Sequence, residues 1–557
     1  MRFKKLNSEF FNDTRNIRFI LTLFVLCVTF VCIGVFSVKD DNLVNDETAH
    51  IPSGYAALKE QNFILNLEHP PMLKMIAAVP MLFQKVNYKS DLVSNTPADE
   101  WKEGYRFFDL NKSNFDTVLL SGRVALILFH AFFLFVLGLL LKQIISPVFA
   151  CLGVFFIAFE PNFLAHARYI TTDAGITVFT VLSLVSFGVF LERQQRIYIW
   201  LTAVFLGGAL LSKFSGLAVY FLILAFLMFN RFKQMFNAKR TFALIFIVPV
   251  LMLYLVYFGV GWAINPMQLN FVITNDKQAT EPSWQTNVFF RPVVLYKTGL
   301  KHITERTQLG AGGGHPPQYL NGEIRYDKGW WYYFLIALLY KETPILLILF
   351  ASGLLFFRWR NHKTQPLEIM LLLYSVLYLS TTFTSSLNIG IRHIQPMIAT
   401  LTLFSVLVLS YQHFWLKFRL WHLAVVLQLL SIISVYPYYL AYFNVIAGGP
   451  ANGYKHLLDS NLDWGQNLKR LYIWAQKNKI DKMIVQTWIG TPVDYYDEGK
   501  IFKPPPKQQL YMGHGYPEVY FAVNITSIKL SKESLGMLES LTPVAIIGHS
   551  IYVYHFP

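Results

Sequence analysis

The chain has 557 residues, 54% of them hydrophobic and only 15% charged, and its mean hydropathy is +0.40. That balance excludes an ordinary soluble domain and fits a protein that crosses a membrane many times. The formal charge of +15 argues for no nucleic-acid partner, because the basic residues fall in short clusters between apolar runs, as they do when they mark one side of a membrane.

The chain begins with Arg2, Lys4, Lys5, Arg15 and Arg18, followed by an apolar run over 17–38 with no small-residue cleavage pattern after it. The run is too long for the core of a cleaved leader and reads as a retained anchor. Further runs at 118–141, 144–160, 172–191, 197–212, 214–230, 241–262, 331–357, 366–384, 394–412 and 419–438 bring the expectation to about eleven spans. With the N-terminus in the cytoplasm, Lys142, Arg193 with Arg196, "NRFKQMFNAKR", "RWRNHK" and Lys417 with Arg419 all fall on that same side. Cys27, Cys32 and Cys151 lie within apolar runs and offer neither metal spacing nor a disulfide framework.

The opposite face then receives loops 39–117 and 263–330 of a transmembrane part, 1–438, and an extracytoplasmic C-terminal domain, 439–557. The first loop holds two amphipathic stretches, near 47–60 and 71–85, suited to lying along a membrane surface. In the second, the glycines and prolines of "GAGGGHPPQYLNGE" rule out regular structure. The C-terminal part mixes helical "DWGQNLKRLYIWAQKN" with strand-like "KMIVQTWI", "EVYFAVNI" and "PVAIIGHSIYVYHF". The expected fold is therefore an all-α polytopic membrane protein carrying a small α+β C-terminal domain.

Chemistry-bearing residues gather on the expected outer face. Asp46 and Glu47 read either as caps of the helix that follows or as a general base with an orienting partner, with His50 nearby. "FEPNFLAHARYITTDAG" sets Glu160, His166, Arg168 and Asp173 in a turn between two spans, where ionisable groups face a cavity or a partner. Arg168 is a candidate, with Lys213 and Arg392, for the positive charge on a donor phosphate, and is also placed to snorkel toward headgroups; Asp173 is also placed to cap a helix. Lys213 in "LLSKFSG", with Arg392 and His393 in "NIGIRHIQP", breaks the inside-positive pattern and points to an anionic ligand. Glu68 and His69 are too few to define a metal site, and Asp459 and Asp463 read first as helix caps.

Taken in order, "NDETAHIPSGYAALKEQNFILNLEHPPMLK", "EPNFLAHARYITTD", "LLSKFSG", "GWWYYFLIALLYKETP", "NIGIRHIQP" and "AYFNVIAGGPANGYKHLLDSNLDWGQNLKRL" resemble bacterial members of the protein O-mannosyltransferase superfamily. The resemblance runs from residue 45 to about 475. It implies a GT-C fold and transfer of a sugar from a polyprenyl-phosphate donor, usually with inversion, to an acceptor on the outer face of a bacterial inner membrane. It makes Asp46 the catalytic base, Glu47 its assistant and Lys213 a contact of the donor phosphate. Related lipid A aminoarabinose transferases have Phe-Glu-Lys-Pro where this chain has Leu67-Glu68-His69-Pro70; there the Glu is linked to metal or substrate binding. No cofactor is required, and a divalent metal is optional. The competing expectation is a lipid-linked sugar transporter or flippase, which would show internal repeats and mid-membrane charges.

Overall fold

A computed structural model describes residues 14–90, 100–228, 238–274, 285, 287–309, 317–358, 365–412, 415, 417, 419–487, 496, 501–503 and 519–556. Most of "NRFKQMFNAKR" and "RWRNHK", and the "GAGGG" glycines, lie outside the described residues.

Every predicted span contains helix. Helices α1 (Thr14–Val38), α5 (Phe115–Leu141), α8 (Asp173–Arg193), α11 (Ala238–Val260) and α17 (Gln395–Ser410) account for five segments long and apolar enough to cross a membrane. Two more are bent pairs: α6 (Pro147–Ala158) with α7 (Pro161–Ala167) at 67°, and α14 (Tyr333–Lys341) with α15 (Pro344–Arg358) at 118°. Both breaks follow from proline, which opens α7 and α15 but cannot continue the helix before it. Four shorter apolar helices, α9 (Arg196–Ser212), α10 (Gly216–Met228), α16 (Pro366–Thr382) and α18 (Leu420–Val435), fill the remaining predicted positions. Leu21 and Phe24 on α1, Phe132 on α5, Leu255 on α11 and Ile433 on α18 stand exposed. Together they make an apolar surface that a bilayer covers, as expected of an integral membrane protein. Helix α8 is the centre of the bundle, buried along its whole apolar window.

The first loop is built of α2 (Asn45–Lys59), α3 (Met72–Ala78) and α4 (Glu100–Leu110). Helix α2 lies inside the protein rather than along a membrane surface, with every residue from Glu47 to Ala57 buried. Two glycines make that packing possible. A Cβ on Gly54 would strike the Lys74 carbonyl of α3, and one on Gly104 would strike the Thr48 carbonyl from α4.

The second loop contains α12 (Pro266–Thr274), α13 (Arg291–Leu309) and a hairpin of β1 (Gln318–Leu320) and β2 (Glu323–Arg325). This corrects the expectation of no regular structure in "GAGGGHPPQYLNGE". Its Asn321-Gly322 pair supplies two positive-φ residues, 49° and 90°, which is the signature of a tight hairpin turn.

The C-terminal part holds α19 (Leu468–Lys477), β3 (Met483–Gln486), β4 (Phe502–Lys503), β5 (Val519–Asn524), α20 (Ile525–Leu530), α21 (Lys532–Leu535), β6 (Ala545–Ile547) and β7 (Ile551–Phe556). Its sheet runs β4-β3-β5-β7-β6, parallel on the β4 side and antiparallel on the β6 side. One hydrophobic core runs from α1 through the bundle into Tyr439–Trp464 and on to Val519 and Phe521. The C-terminal part is therefore packed onto the helices, not tethered to them.

Candidate active site

The three long pieces predicted for one face meet at a cavity of about 820 Å³. The first loop brings Asp46, His50, Glu68 and His69, the second brings Arg306 from α13, and the C-terminal part brings Asp459 and Trp464. Lys213, at the break between α9 and α10, lines it together with Arg392 and His393, which stand just before α17.

The Asp-Glu pair divides its labour along α2. Glu47 occupies the third helical position, where its Oε2 accepts the Val44 N–H at 2.9 Å, the reach-back bond of a capped N-terminus. Its carboxylate also holds the fully buried Arg123 of α5, at 2.8 Å to Nε and 2.6 Å to Nη2, and accepts the Ile170 N–H at 3.0 Å. Glu47 thus pins loop to bundle and does not line the cavity. Asp46, one residue earlier and a hundred degrees around the helix, turns to the cavity and receives Arg392 Nη1 at 2.7 Å. Burial pushes the Asp46 carboxyl up, but the Arg392 and His50 charges and the Arg392 hydrogen bond outweigh it, and the group is held below the ordinary carboxylate value.

Asp173 opens α8 beside the cavity. Its Oδ1 takes Lys213 Nζ at 2.6 Å and its Oδ2 takes Arg392 Nη1 at 3.3 Å. Asp46, Arg392, Asp173 and Lys213 therefore form one chain of alternating charge. Arg392 Nε is buried with no partner among the described residues, a donor that a bound anion would satisfy.

Near neutral pH the cavity histidines carry no charge, and His50 gains one only in the acid range where Asp46 itself titrates. His50 Nδ1 donates to the Ile170 carbonyl at 2.8 Å, leaving Nε2 as the acceptor. Burial first, then Lys74, push its pKa down to about 4, and burial and Lys213 push His69 well below its ordinary value. The two rings meet edge to face, 5.6 Å apart. Beneath them Lys74 of α3, itself buried, donates to the Asn66 carbonyl at 2.8 Å, the His69 carbonyl at 2.9 Å and the Asn66 side chain, so that it fixes the Asn66–His69 turn. Glu68 is ion-paired with Arg306. Among the described residues no cluster of three or more His, Cys, Asp or Glu side chains is placed to hold a metal ion.

Besides Glu47, three predicted residues stand away from the cavity. Glu160 caps α7, accepting the Asn162 N–H at 2.7 Å and the Phe163 N–H. Arg168 is buried between the Tyr169 and Tyr439 rings, 3.4 Å from Asp41, so neither a headgroup nor a ligand in the cavity reaches it. His166 packs edge-on against Trp464. The sequence alone does not single out Arg306 or Trp464 and favours a cap over a site role for Asp459; the "DSNLDWGQ" motif is the available signal.

The profile of the family "Dolichyl-phosphate-mannose-protein mannosyltransferase" matches residues 19–275, just under half of the chain. Among curated proteins none matches. Among solved structures, the chain is similar to ArnT from Cupriavidus metallidurans bound to undecaprenyl phosphate, at 12% identity and a TM-score of 0.45, over 96% of this chain and 97% of that one. It is also similar to the oligosaccharyltransferase AglB from Archaeoglobus fulgidus in complex with an inhibitory peptide and a dolichol-phosphate, at 14% identity and a TM-score of 0.44, over 88% of this chain and 61% of that one. The chain thus spans about three fifths of AglB, and overlap at these scores says nothing of chemistry. The family match takes in Asp46, Asp173 and Lys213, so over residues 19–275 the chain is similar to the dolichyl-phosphate-mannose-protein mannosyltransferase family.

Proposed function

We propose that the protein moves a sugar from a polyprenyl-phosphate donor to an acceptor at the membrane face bearing the cavity, with inversion and with Asp46 as general base. The acceptor oxygen attacks the anomeric carbon while the bond from that carbon to the phosphate oxygen breaks. The acceptor proton passes to Asp46, and the electron pair leaves on the polyprenyl phosphate. Lys213 and Arg392 take the departing negative charge, a service worth about 3–4 kcal/mol per well-aimed donor in a site shielded from water. In this reading no metal is required, because the two side chains supply the positive charge.

The observation that carries the proposal is the alternating chain Asp46–Arg392–Asp173–Lys213, of which Asp46, Arg392 and Lys213 line the cavity and Asp173 stands behind them. It holds an ionised carboxylate beside two cations that retain unspent donors, which is what base-assisted displacement of a phosphate needs. The family's phosphate-linked mannosyl donor supports the same substrate class. The face is read as the outer side of a bacterial inner membrane, with the N-terminus in the cytoplasm and residues 439–557 outside.

The test uses the purified full chain in sealed proteoliposomes with polyprenyl-phosphate [14C]mannose and envelope extract as acceptor. Label should leave the lipid in the wild type and not in Asp46→Asn. A wild-type protein that carried the intact donor across the bilayer without cleaving it would sink the proposal.

A further inference from the structure

Trp464 belongs to the C-terminal part, yet it touches both Arg392 and the residue that precedes Asp46. Its ring lies flat under Arg392, with the guanidinium carbon 3.9 Å from the ring centroid, a contact in which the aromatic face attracts the cation. Its carbonyl accepts the N–H of Asn45, at 3.0 Å, the residue just before Asp46. The indole is 2% exposed, and its far environment is fixed by His166, whose ring meets it edge-on at 5.9 Å. The backbone around it is equally constrained. The Trp464 N–H donates to its own segment's Gln466 side chain at 2.7 Å, and the Asn42 N–H donates to the Gln466 carbonyl at 2.7 Å. Residues 464–466 therefore run beside residues 42–45 as a short clasp, next to the first turn of α2.

We infer that Trp464 is a positioning residue for the transfer reaction, holding Arg392 against Asp46 by its ring and the start of α2 by its carbonyl, so that the C-terminal part completes the site. The inference rests on the reading of Asp46 as the base. It also gives "DSNLDWGQ" a purpose that helix capping does not, since Asp459 lines the same cavity.

The consequence is electrostatic. The groups facing Asp46 are His50 on its own helix, Arg392 before α17, Asp173 on α8, Lys74 on α3 and Asp459 in the C-terminal part. Of these, Arg392 is the only one in ion-pair contact with it among the described residues. If the ring no longer holds Arg392 in place, Asp46 loses its closest positive charge and retains its proton to higher pH.

Dicyclohexylcarbodiimide reads this directly, because it attacks protonated carboxyl groups in apolar surroundings. The full chain is labelled across a pH series and the Asp46 peptide is quantified by mass spectrometry. Trp464→Met, which removes the aromatic face, should raise the Asp46 labelling midpoint by about one pH unit, the shift equal to a tenfold weaker ion pair. Trp464→Phe, which keeps a face, should leave it in place, and the acid limb of sugar release should move with the Met variant alone. An unmoved midpoint in Trp464→Met, or an equal rise in both variants, overturns the inference. Should the Met variant fail to insert, fluorinated tryptophans at 464 weaken the ring's charge without changing its shape. A graded rise with fluorination supports the inference and a flat series overturns it. Full transfer by Asp46→Asn would instead defeat the base assignment, while labelling of Asp46 in the Trp464 variants would still decide this point.

Discussion

Asp46 and Asp173 stand on different helices and share one guanidinium nitrogen, Arg392 Nη1, at 2.7 and 3.3 Å. Asp173 also holds Lys213, so two carboxylates and two cations balance within one contiguous network. The cations are thereby fixed in advance without being used up, since an ammonium has three donors and a guanidinium five.

Asp173 therefore matters because it aims the cations, not because it meets the reacting atoms. In Asp173→Asn the pull on both Lys213 and Arg392 weakens while the volume stays the same. We expect kcat/KM for the polyprenyl-phosphate donor to fall about 10²–10³-fold, the cost of misplacing one such donor. Steady-state kinetics over a donor series checks this, and an unchanged KM and kcat would remove Asp173 from the site.

Asp46→Asn keeps the shape of α2 and the hydrogen bond to Arg392 but cannot accept a proton. A positioned general base contributes about 10²–10⁴-fold, and we expect a loss of that order with donor binding retained. Burial raises the wild-type carboxyl, but Arg392 and His50 bring it below its usual value. The base form is thus lost only as pH falls through that depressed value, and the acid limb of the rate profile should lie lower than for an unperturbed aspartate. A pH–rate profile of kcat/KM measures it.

What the sequence made legible, and what it did not, divides by the kind of signal. Apolar length marked helix at every predicted span, because hydropathy is a local property. Proline marks where the helices break at Pro161 and Pro344, but the angles of 67° and 118° across those breaks and the shortness of α9 and α10 are set by tertiary packing, so a count of complete crossings does not follow from composition. Asp46 and Glu47 were visible as a pair, but which one faces the cavity depends on the phase of α2. That phase is set by Arg123, a lone cation inside an apolar run that reads like any other span. Arg168 looked equivalent to Lys213 and Arg392 as an outer-face cation. Only the fold shows its charge shared with Asp41, which Arg470 also contacts, at 2.7 Å. The Asn321-Gly322 turn was legible and was outweighed by the glycines before it.

The Glu47–Arg123 pair should be the most fragile element of the site's frame. All five Arg123 N–H groups find acceptors, on Glu47 and on the carbonyls of Val38, Asp41 and Asn42. Removing one partner strands a buried charge, which costs about 3–5 kcal/mol. We expect Glu47→Leu or Arg123→Met alone to lower the melting temperature sharply and the double variant to recover part of the loss. Scanning calorimetry in nanodiscs gives the three numbers, and additive losses would show that the two residues act independently.

His50 should make the first loop sensitive to mild acid. Burial, then the nearby Lys74 charge, hold the folded imidazole at about 4, whereas an unfolded histidine takes its proton near 6.5. Between those values the unfolded chain binds more protons than the folded one, so stability rises with pH across that window. Read in the other direction, stability falls as pH drops from about 6.5 toward 4, by up to about 3 kcal/mol at 1.4 kcal/mol per unit. A glutamine has a comparable polar reach and no titration in this range. His50→Gln should therefore reduce the slope of melting temperature against pH between 4 and 6.5, leaving the share owed to the likewise depressed His69, and leave it unchanged between 7 and 8. A slope undiminished in the variant would assign the acid sensitivity to other groups.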